Sequence, residues 1–88
     1  MKSLLFLLFL FSSSLYPVLS QSNLLESVKK NPNEAMKLCN KFREFNSEGI
    51  SASSDQAIEY VSNKKKLNPV NAEIFSIYVI GLHCPDII

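Results

Sequence analysis

The chain has 88 residues, of which 47% are hydrophobic and 19% charged, and its formal net charge is +1 at pH 7. Apart from Lys2, eight basic residues balance eight acidic ones, so the composition predicts neither the basic surface that binds nucleic acid nor attraction to an anionic membrane. A chain of this length forms one domain, near the size at which a hydrophobic core alone is marginal.

The first 20 residues follow the order of a secretory signal peptide. Lys2 supplies a positive charge, and an unbroken run of Leu and Phe residues follows from Leu4 to Phe11. An uncleaved anchor is the alternative, but it requires about 20 predominantly apolar residues, and serines interrupt this run at residues 12–14. The pattern favours a cleaved signal peptide, and this peptide is the one contact with a membrane that the sequence predicts.

A cleavage site follows the apolar run. We expect Pro17 to break the signal helix, so that residues 18–20 are extended when signal peptidase reaches them. The peptidase requires small side chains one and three residues before the cut, and Ser20 and Val18 occupy these places. The sequence therefore predicts cleavage between Ser20 and Gln21 and export to the periplasm or the cell exterior. Removing 20 of the 88 residues leaves a mature chain of 68.

The mature chain is predicted to be all-α. Residues 21–31 form an N-terminal arm or a short helix, which must end before Pro32 because the residue preceding a proline is disfavoured in the helical region. Residues 32–88 form the helical domain, a three-helix domain or, if the arm is helical, a four-helix one. Apolar periodicity and capping signals predict its helices near residues 32–46, 54–65 and 69–83.

The first of these helices has clear start signals and one apolar face. Asn31 can cap it, Pro32 suits its first position, and Glu34 can reach back to the cap in a capping box. Gly49 can take the left-handed conformation that ends it. The residues expected to be buried recur every three or four positions: Ala35, Leu38, Cys39, Phe42 and Phe45.

The second helix begins at a capping box in residues 53–56 and ends in three lysines, Lys64, Lys65 and Lys66. Three consecutive lysines could form a binding patch. We expect them instead to be solvated, because cations are favoured at the carboxyl end of a helix and the mature chain is neutral overall.

For the third predicted helix, the sequence leaves a strand as the alternative. Its β-branched and aromatic residues would suit a strand, but Asn68 and Pro69 provide a cap and a first helical position. A spacing of three and four also favours a helix, and it predicts a core face of Val70, Ile74, Ile77, Tyr78, Gly81 and Cys84.

Two cysteines in a small exported domain indicate a structural disulfide. Cys39 lies on the apolar stripe of the first predicted helix, and Cys84 lies at the end of the last one. A redox pair is the alternative, but redox cysteines are usually two residues apart. We therefore predict a Cys39–Cys84 disulfide whose two helices pack side by side. Four residues are expected between them: Leu38, Phe42, Ile77 and Tyr78.

The sequence predicts no metal site, no cofactor and no catalytic residues. His83 beside Cys84 could suggest a metal, but a closed zinc site needs four ligands and the chain has one histidine and two cysteines. A cysteine–histidine or serine–histidine pair also needs an orienting group and an oxyanion hole. We expect His83 to be a surface or capping residue, and no cofactor is predicted.

The mature part resembles uncharacterised small exported helical proteins of bacteria that end in Cys-Pro. The similarity is to short secreted proteins of marine cyanobacteria and, more loosely, to a mycobacterial secreted domain of unknown function. It implies an all-helical, disulfide-linked domain and no activity. The resemblance extends from about Ala35 to Asp86, and the segments that carry it are Cys39, residues 49–51, residues 56–61, residues 72–74 and residues 78–85.

The sequence therefore predicts a noncatalytic exported module that binds or supports another, unidentified protein. A membrane-active or toxin-like peptide is the alternative, since the chain is small and carries a disulfide and an apolar stretch at residues 74–82. Such peptides usually carry a positive polar face, and the mature chain has no net charge.

Overall fold

The structure is a computed structural model, and it describes residues 16–88, with side chains from Asn23 onward. Within these residues it contains no strand and four helices: α1 (Tyr16–Lys30), α2 (Pro32–Ser47), α3 (Asp55–Lys65) and α4 (Pro69–His83). The predicted all-α class with a Cys39–Cys84 disulfide is confirmed, in its four-helix form. The signal segment predicted at residues 1–20 lies outside the described residues over positions 1–15.

Helix α1 corrects one expectation about the cleavage region. Pro17 lies in the first turn of α1, where its missing N–H costs no helical hydrogen bond. Residues 18–20 are therefore helical, not extended. Leu24 and Val28 are buried in the core, so the segment predicted as an arm or a short helix is a helix that packs on the domain.

Helix α2 has the predicted position and apolar face, but not the predicted cap. All five residues expected in its buried stripe are buried. The Asn31 side chain makes no capping hydrogen bond to α2; its Nδ2 donates to the carbonyl of Ser27, 2.9 Å away, at the end of α1. Glu34 does not complete a capping box, because its carboxylate accepts a hydrogen bond from Lys65. Gly49 has the expected left-handed conformation, with a φ of 78°.

Helix α3 begins at a serine cap, since Ser54 Oγ accepts a hydrogen bond from the backbone N–H of Ala57. Its end differs from the prediction of three solvated lysines. Lys65 Nζ lies 2.6 Å from Glu34 Oε1, and only 23% of the Lys65 side chain is exposed. The same ammonium lies 5.3 Å from the centre of the Phe75 ring. Lys65 therefore links α3 to α2 and α4.

Helix α4 is a helix as predicted, and Asn68 caps it by accepting from the N–H of Asn71 at 2.8 Å. Its predicted core face is wrong in part. Val70 is 68% exposed and Ile77 is 59% exposed. The buried face of α4 instead consists of Ala72, Phe75, Ser76 and Val79.

The error in the predicted core face of α4 has a physical cause. Helix α4 is apolar on almost every side, so the three-and-four spacing of its apolar residues does not select one face. The face that turns inward contains the small residues Ala72 and Ser76, which allow other elements to approach the α4 backbone. Ser76 satisfies its buried hydroxyl within the helix, because Oγ donates to the carbonyl of Ala72 at 2.9 Å.

Helix α4 is also the central helix of the fold. It packs against α1, α2 and α3, and α1 packs in addition against α2. All four helices contribute to one core, in which the largest fully buried side chains include Phe42, Phe75, Val28, Val61 and Val79. No helix within residues 16–88 is both long enough and apolar enough to cross a membrane.

Candidate functional site

The two cysteines predicted to pair are brought together in the core. The Cα atoms of Cys39 and Cys84 are 6.1 Å apart and their sulfur atoms are bonded, in agreement with the geometry that an undistorted disulfide requires. Cys39 is 0% exposed and Cys84 is 1% exposed. A buried disulfide cannot be reached by a redox partner, so this geometry favours the structural reading.

The disulfide also fixes the start of the C-terminal tail, residues 85–88. Four polar contacts hold the tail against α2 and the loop that follows it, one of them from Ser51 Oγ to the carbonyl of Ile88 at 3.0 Å. Arg43 Nη2 lies 3.4 Å from Asp86 Oδ1, and the N–H of Ile88 donates to Asn46 Oδ1 at 3.1 Å. The carbonyl of Ile88 accepts from the N–H of Ala52 at 3.0 Å. The tail therefore has a defined path beside the outer face of α4.

An apolar groove of about 220 Å³ lies between this tail, α3 and α4. We name it the tail groove. The residues that line it are mostly isoleucines: Ile58, Ile77, Ile80, Ile87 and Ile88, together with Ala52, Ser53, Glu73 and Ser76. Ile77 and Ile88 are exposed by 59% and 83%. Exposed isoleucines gathered around a concavity are typical of a surface that contacts another molecule.

The tail groove has acidic neighbours. Glu73 is one of its lining residues, and Asp55 and Glu59 lie with Ile58 around an adjoining cavity of about 360 Å³. None of these three carboxylates lies within 4.0 Å of a basic side chain of the described residues. The surface thus combines apolar contact area with unneutralised negative charge.

Lys41 and Glu44 form an ion pair on the surface of α2. Lys41 Nζ lies 3.2 Å from Glu44 Oε1, one turn along α2. Its ammonium is also 5.1 Å from the ring centres of both Phe45 and Tyr60. These contacts are structural, since they hold the α2 surface against α3.

His83 is less exposed than expected for a surface or capping residue. It is the last residue of α4 and is half-buried. Its Nε2 atom is buried and has no hydrogen-bond partner among the described residues. In residues 16–88, no three or more His, Cys, Asp or Glu side chains are grouped so that they could hold a metal ion.

The predicted cleavage residues, Ser20 and Gln21, lie within α1, and their side chains are outside the described part of the chain. Sequence reasoning did not find the tail groove. Its signal was present in Ile77 and Ile80, because α4 has more apolar residues than one buried face can use. Which of them are left outside depends on tertiary packing.

Four helices around a buried disulfide, with an apolar groove on the surface, define a small disulfide-linked all-α domain. A family described as a domain of unknown function, DUF8664, matches residues 25–84. This match covers more than half of the 88 residues, and the chain belongs to that family. No curated protein and no solved structure matches the chain.

Proposed function

We propose that this chain is an exported, noncatalytic helical protein that binds another protein through the tail groove. The observation that carries the proposal is the cluster of five isoleucines around a concave surface, of which two are exposed and three are half-buried. Ile77 and Ile88 expose more than half of their surface, although they lie beside a core into which side chains of their type are normally packed. Covering them with a partner removes this apolar area from water, which is favourable.

The groove suggests the chemistry of its partner. A groove of about 220 Å³ accommodates one or two apolar side chains, the kind of anchor around which protein interfaces are organised. The carboxylates of Glu73, Asp55 and Glu59 beside it favour a partner whose anchor is flanked by lysine or arginine. We therefore infer a basic, amphipathic partner segment.

A noncatalytic role is supported by what lines the groove. Isoleucine and alanine side chains bind by excluding water, and they provide no nucleophile, acid or base. Glu73 is the one charged residue among the lining residues, and a single carboxylate on an open apolar surface is better suited to steering a partner than to proton transfer.

Export is supported by two independent features. The disulfide requires an oxidising compartment to form and persist, and the leader at residues 1–20 has the order of a signal peptide. Cleavage before Gln21 would shorten α1 but would keep Leu24 and Val28, which pack in the core. The part of the chain that belongs to the family, residues 25–84, would also remain intact.

Mass spectrometry of the protein recovered from outside the cytoplasm tests the export proposal. We expect a chain that begins at Gln21, with both cysteines oxidised and thus two hydrogens lighter than its reduced form. A recovered chain that still carries Lys2, or two free thiols, would refute cleavage or disulfide formation respectively.

A pull-down from the exported fraction tests binding at the groove. The matched variants are Ile77→Glu, at the groove, and Met36→Glu, at a residue of α2 that is 45% exposed and does not line it. We expect a partner that is captured by the wild type and by Met36→Glu and lost with Ile77→Glu. Equal capture by both variants would exclude the groove.

The alternative to a protein partner is a membrane surface, which exposed apolar residues of α4 such as Val70, Ile77 and Leu82 could contact. The carboxylates near the groove oppose binding to anionic lipid. We therefore expect no leakage from neutral or anionic vesicles incubated with the protein. Leakage that Ile77→Glu abolishes would replace the protein-binding proposal with a membrane-active one.

A further inference from the structure

We propose that a second cleft, between α2 and α3, binds a carboxylate carried on a small apolar group. The cleft has a volume of about 240 Å³ and is lined by six residues: Glu34, Lys37, Leu38, Tyr60, Lys64 and Lys65. We name it the lysine cleft. It shares no lining residue with the tail groove, so this proposal does not rest on the function proposed above.

The charges of the lysine cleft are not balanced. Lys65 and Glu34 neutralise each other across a distance of 2.6 Å. Lys37 and Lys64 approach the cleft from different helices, and neither has a carboxylate within 4.0 Å among the described residues. Residues 1–22 contain no Asp or Glu, so the leader cannot supply a carboxylate side chain to them. Two exposed lysines of the cleft lining thus have no ion-pair partner among the described residues.

The other lining residues provide an apolar surface for the rest of the ligand. Leu38 is buried at 4% exposure, and Tyr60 is half-buried. The Tyr60 ring is held by an edge-on contact with Phe45, with ring centres 5.9 Å apart, and by the Lys41 ammonium. A fixed aromatic ring next to a buried leucine is suited to an apolar or aromatic group.

The size of the cleft limits the ligand. Pockets for drug-sized molecules are about 300–1,000 Å³, and this one is smaller. A small organic acid fits the observed charge and volume, and so does one acidic side chain with an apolar neighbour. In both cases the recognised chemistry is the same: one carboxylate between two lysines, and an apolar group on Leu38 and Tyr60.

The two binding surfaces flank α3 on different sides. Ile58, in the tail groove, and Tyr60, in the lysine cleft, are two residues apart and thus about 200° apart around the helix. The core residues Ala57 and Val61 lie between them on the inner face. A ligand in the lysine cleft therefore leaves the tail groove open.

Titration of the purified, oxidised protein with 3-phenylpropionate tests the proposal, with 3-phenylpropanol as the uncharged control. Binding is followed by NMR shifts of the backbone amides. We expect saturable shifts at residues 37, 38, 60 and 64 with the acid and none with the alcohol. We also expect the affinity to fall as salt is added, because the pairing is electrostatic and partly exposed. Equal shifts with acid and alcohol would overturn the role of the lysines.

Two double variants test whether the lysines of the cleft, and not the net charge of the protein, bind the carboxylate. Lys37→Gln with Lys64→Gln should weaken binding about tenfold or more, as loss of a charge-assisted contact does. Lys29→Gln with Lys30→Gln removes the same charge from exposed positions on α1 and should leave the affinity unchanged. Equal weakening in both double variants would show that only the net charge matters and would refute the site.

A second titration distinguishes the source of the carboxylate. The probe is a blocked Phe-Glu dipeptide, with Phe-Gln as its control. Shifts at the same amides at a lower concentration of Phe-Glu than of phenylpropionate place the carboxylate on a protein. Shifts at a lower concentration of phenylpropionate place it on a small molecule, and shifts with neither refute the proposal.

Discussion

Helices α2 and α4 are of similar length and are joined by the disulfide, but their sequences specify their buried faces to very different degrees. In α2, charged and amide residues occupy the outer face, and the buried stripe from Ala35 to Phe45 is the one that the sequence predicts. In α4, apolar residues occur all round, and Val70 and Ile77 of the predicted face are exposed. The polar residues of α2 therefore identify its buried face, whereas the buried face of α4 is decided by tertiary packing alone.

This difference also determines which apolar residues remain on the surface. Nearly every apolar residue of α2 is used by the core, with Met36 as the exposed exception. Helix α4 buries Ala72, Phe75, Ser76 and Val79, and it leaves Val70, Ile77 and Leu82 exposed. The exposed part of α4 is then available to form the tail groove.

The prediction with the largest expected effect compares a buried and an exposed residue of α4. Phe75 is 2% exposed, and Ile77, two residues away, is 59% exposed. Phe75→Ala should lower the free energy of unfolding by about 3–5 kcal/mol, because it removes a buried ring and leaves a cavity. Ile77→Ala should change it by less than about 0.5 kcal/mol. Chemical denaturation of the two variants measures both values.

A milder substitution keeps this test informative. A domain of this size has a total stability of about 5 kcal/mol, so Phe75→Ala could abolish folding. Phe75→Leu retains most of the apolar volume and should still be less stable than Ile77→Leu. Equal effects at positions 75 and 77 would mean that α4 is rotated from the described orientation.

The second prediction concerns the bond that joins the two helices. Cys39→Ser combined with Cys84→Ser should cost about 2–5 kcal/mol, as loss of a native disulfide from a small secreted domain does. The sequence separation of 45 residues gives about 4 kcal/mol in the chain-entropy description. Thermal melting of the double variant provides the measurement. A melting temperature within a degree or two of the wild type would contradict a stabilising role.

The third prediction compares the starts of the same two helices. Asn68 caps α4 through its side chain, whereas Asn31 makes no such bond to α2. Asn68→Ala should therefore cost about 1 kcal/mol, and Asn31→Ala should cost less, since it loses one exposed contact with Ser27. Urea denaturation of both variants compares them, and the reverse order would show that the caps are misassigned.

The smallest predicted effect involves the ion pair between Glu34 and Lys65. Glu34 is 42% exposed and Lys65 is 23% exposed at the side chain, so water screens the pair. Glu34→Gln should lower stability by less than about 1 kcal/mol, and 1 M salt should reduce the difference. Glu44→Gln, which removes the acid from the more exposed Lys41 pair, is the control. A loss of several kcal/mol at Glu34 would indicate a buried ion pair.

The sequence is informative wherever the signal is local. Helix positions, the Asn68 cap and the Gly49 turn depend on neighbouring residues, and these predictions are confirmed. The disulfide could be predicted because a chain with two cysteines leaves one possible pairing. The expected extended conformation of residues 18–20 is wrong, because a proline that begins a helix and one that breaks it have the same local signature.

The candidate sites depend on contacts between residues far apart in the sequence, and these contacts could not be predicted from the sequence. The tail groove needs Ile87 and Ile88 to be held beside α4 by Asn46 and Ala52. The lysine cleft needs Lys37 of α2 to lie across from Lys64 of α3. Asn31 also illustrates the limit, since its amide has two nearby partners and takes the one at the end of α1.

The central claim is that the outer face of α4 is a binding surface. Site-specific incorporation of a photo-crosslinking amino acid at position 77, and separately at position 36, tests it in the cell that produces the protein. We expect crosslinked products heavier than the chain from position 77, and none of the same mass from position 36. The same products at equal yield from both positions, or no product from position 77, would contradict the claim.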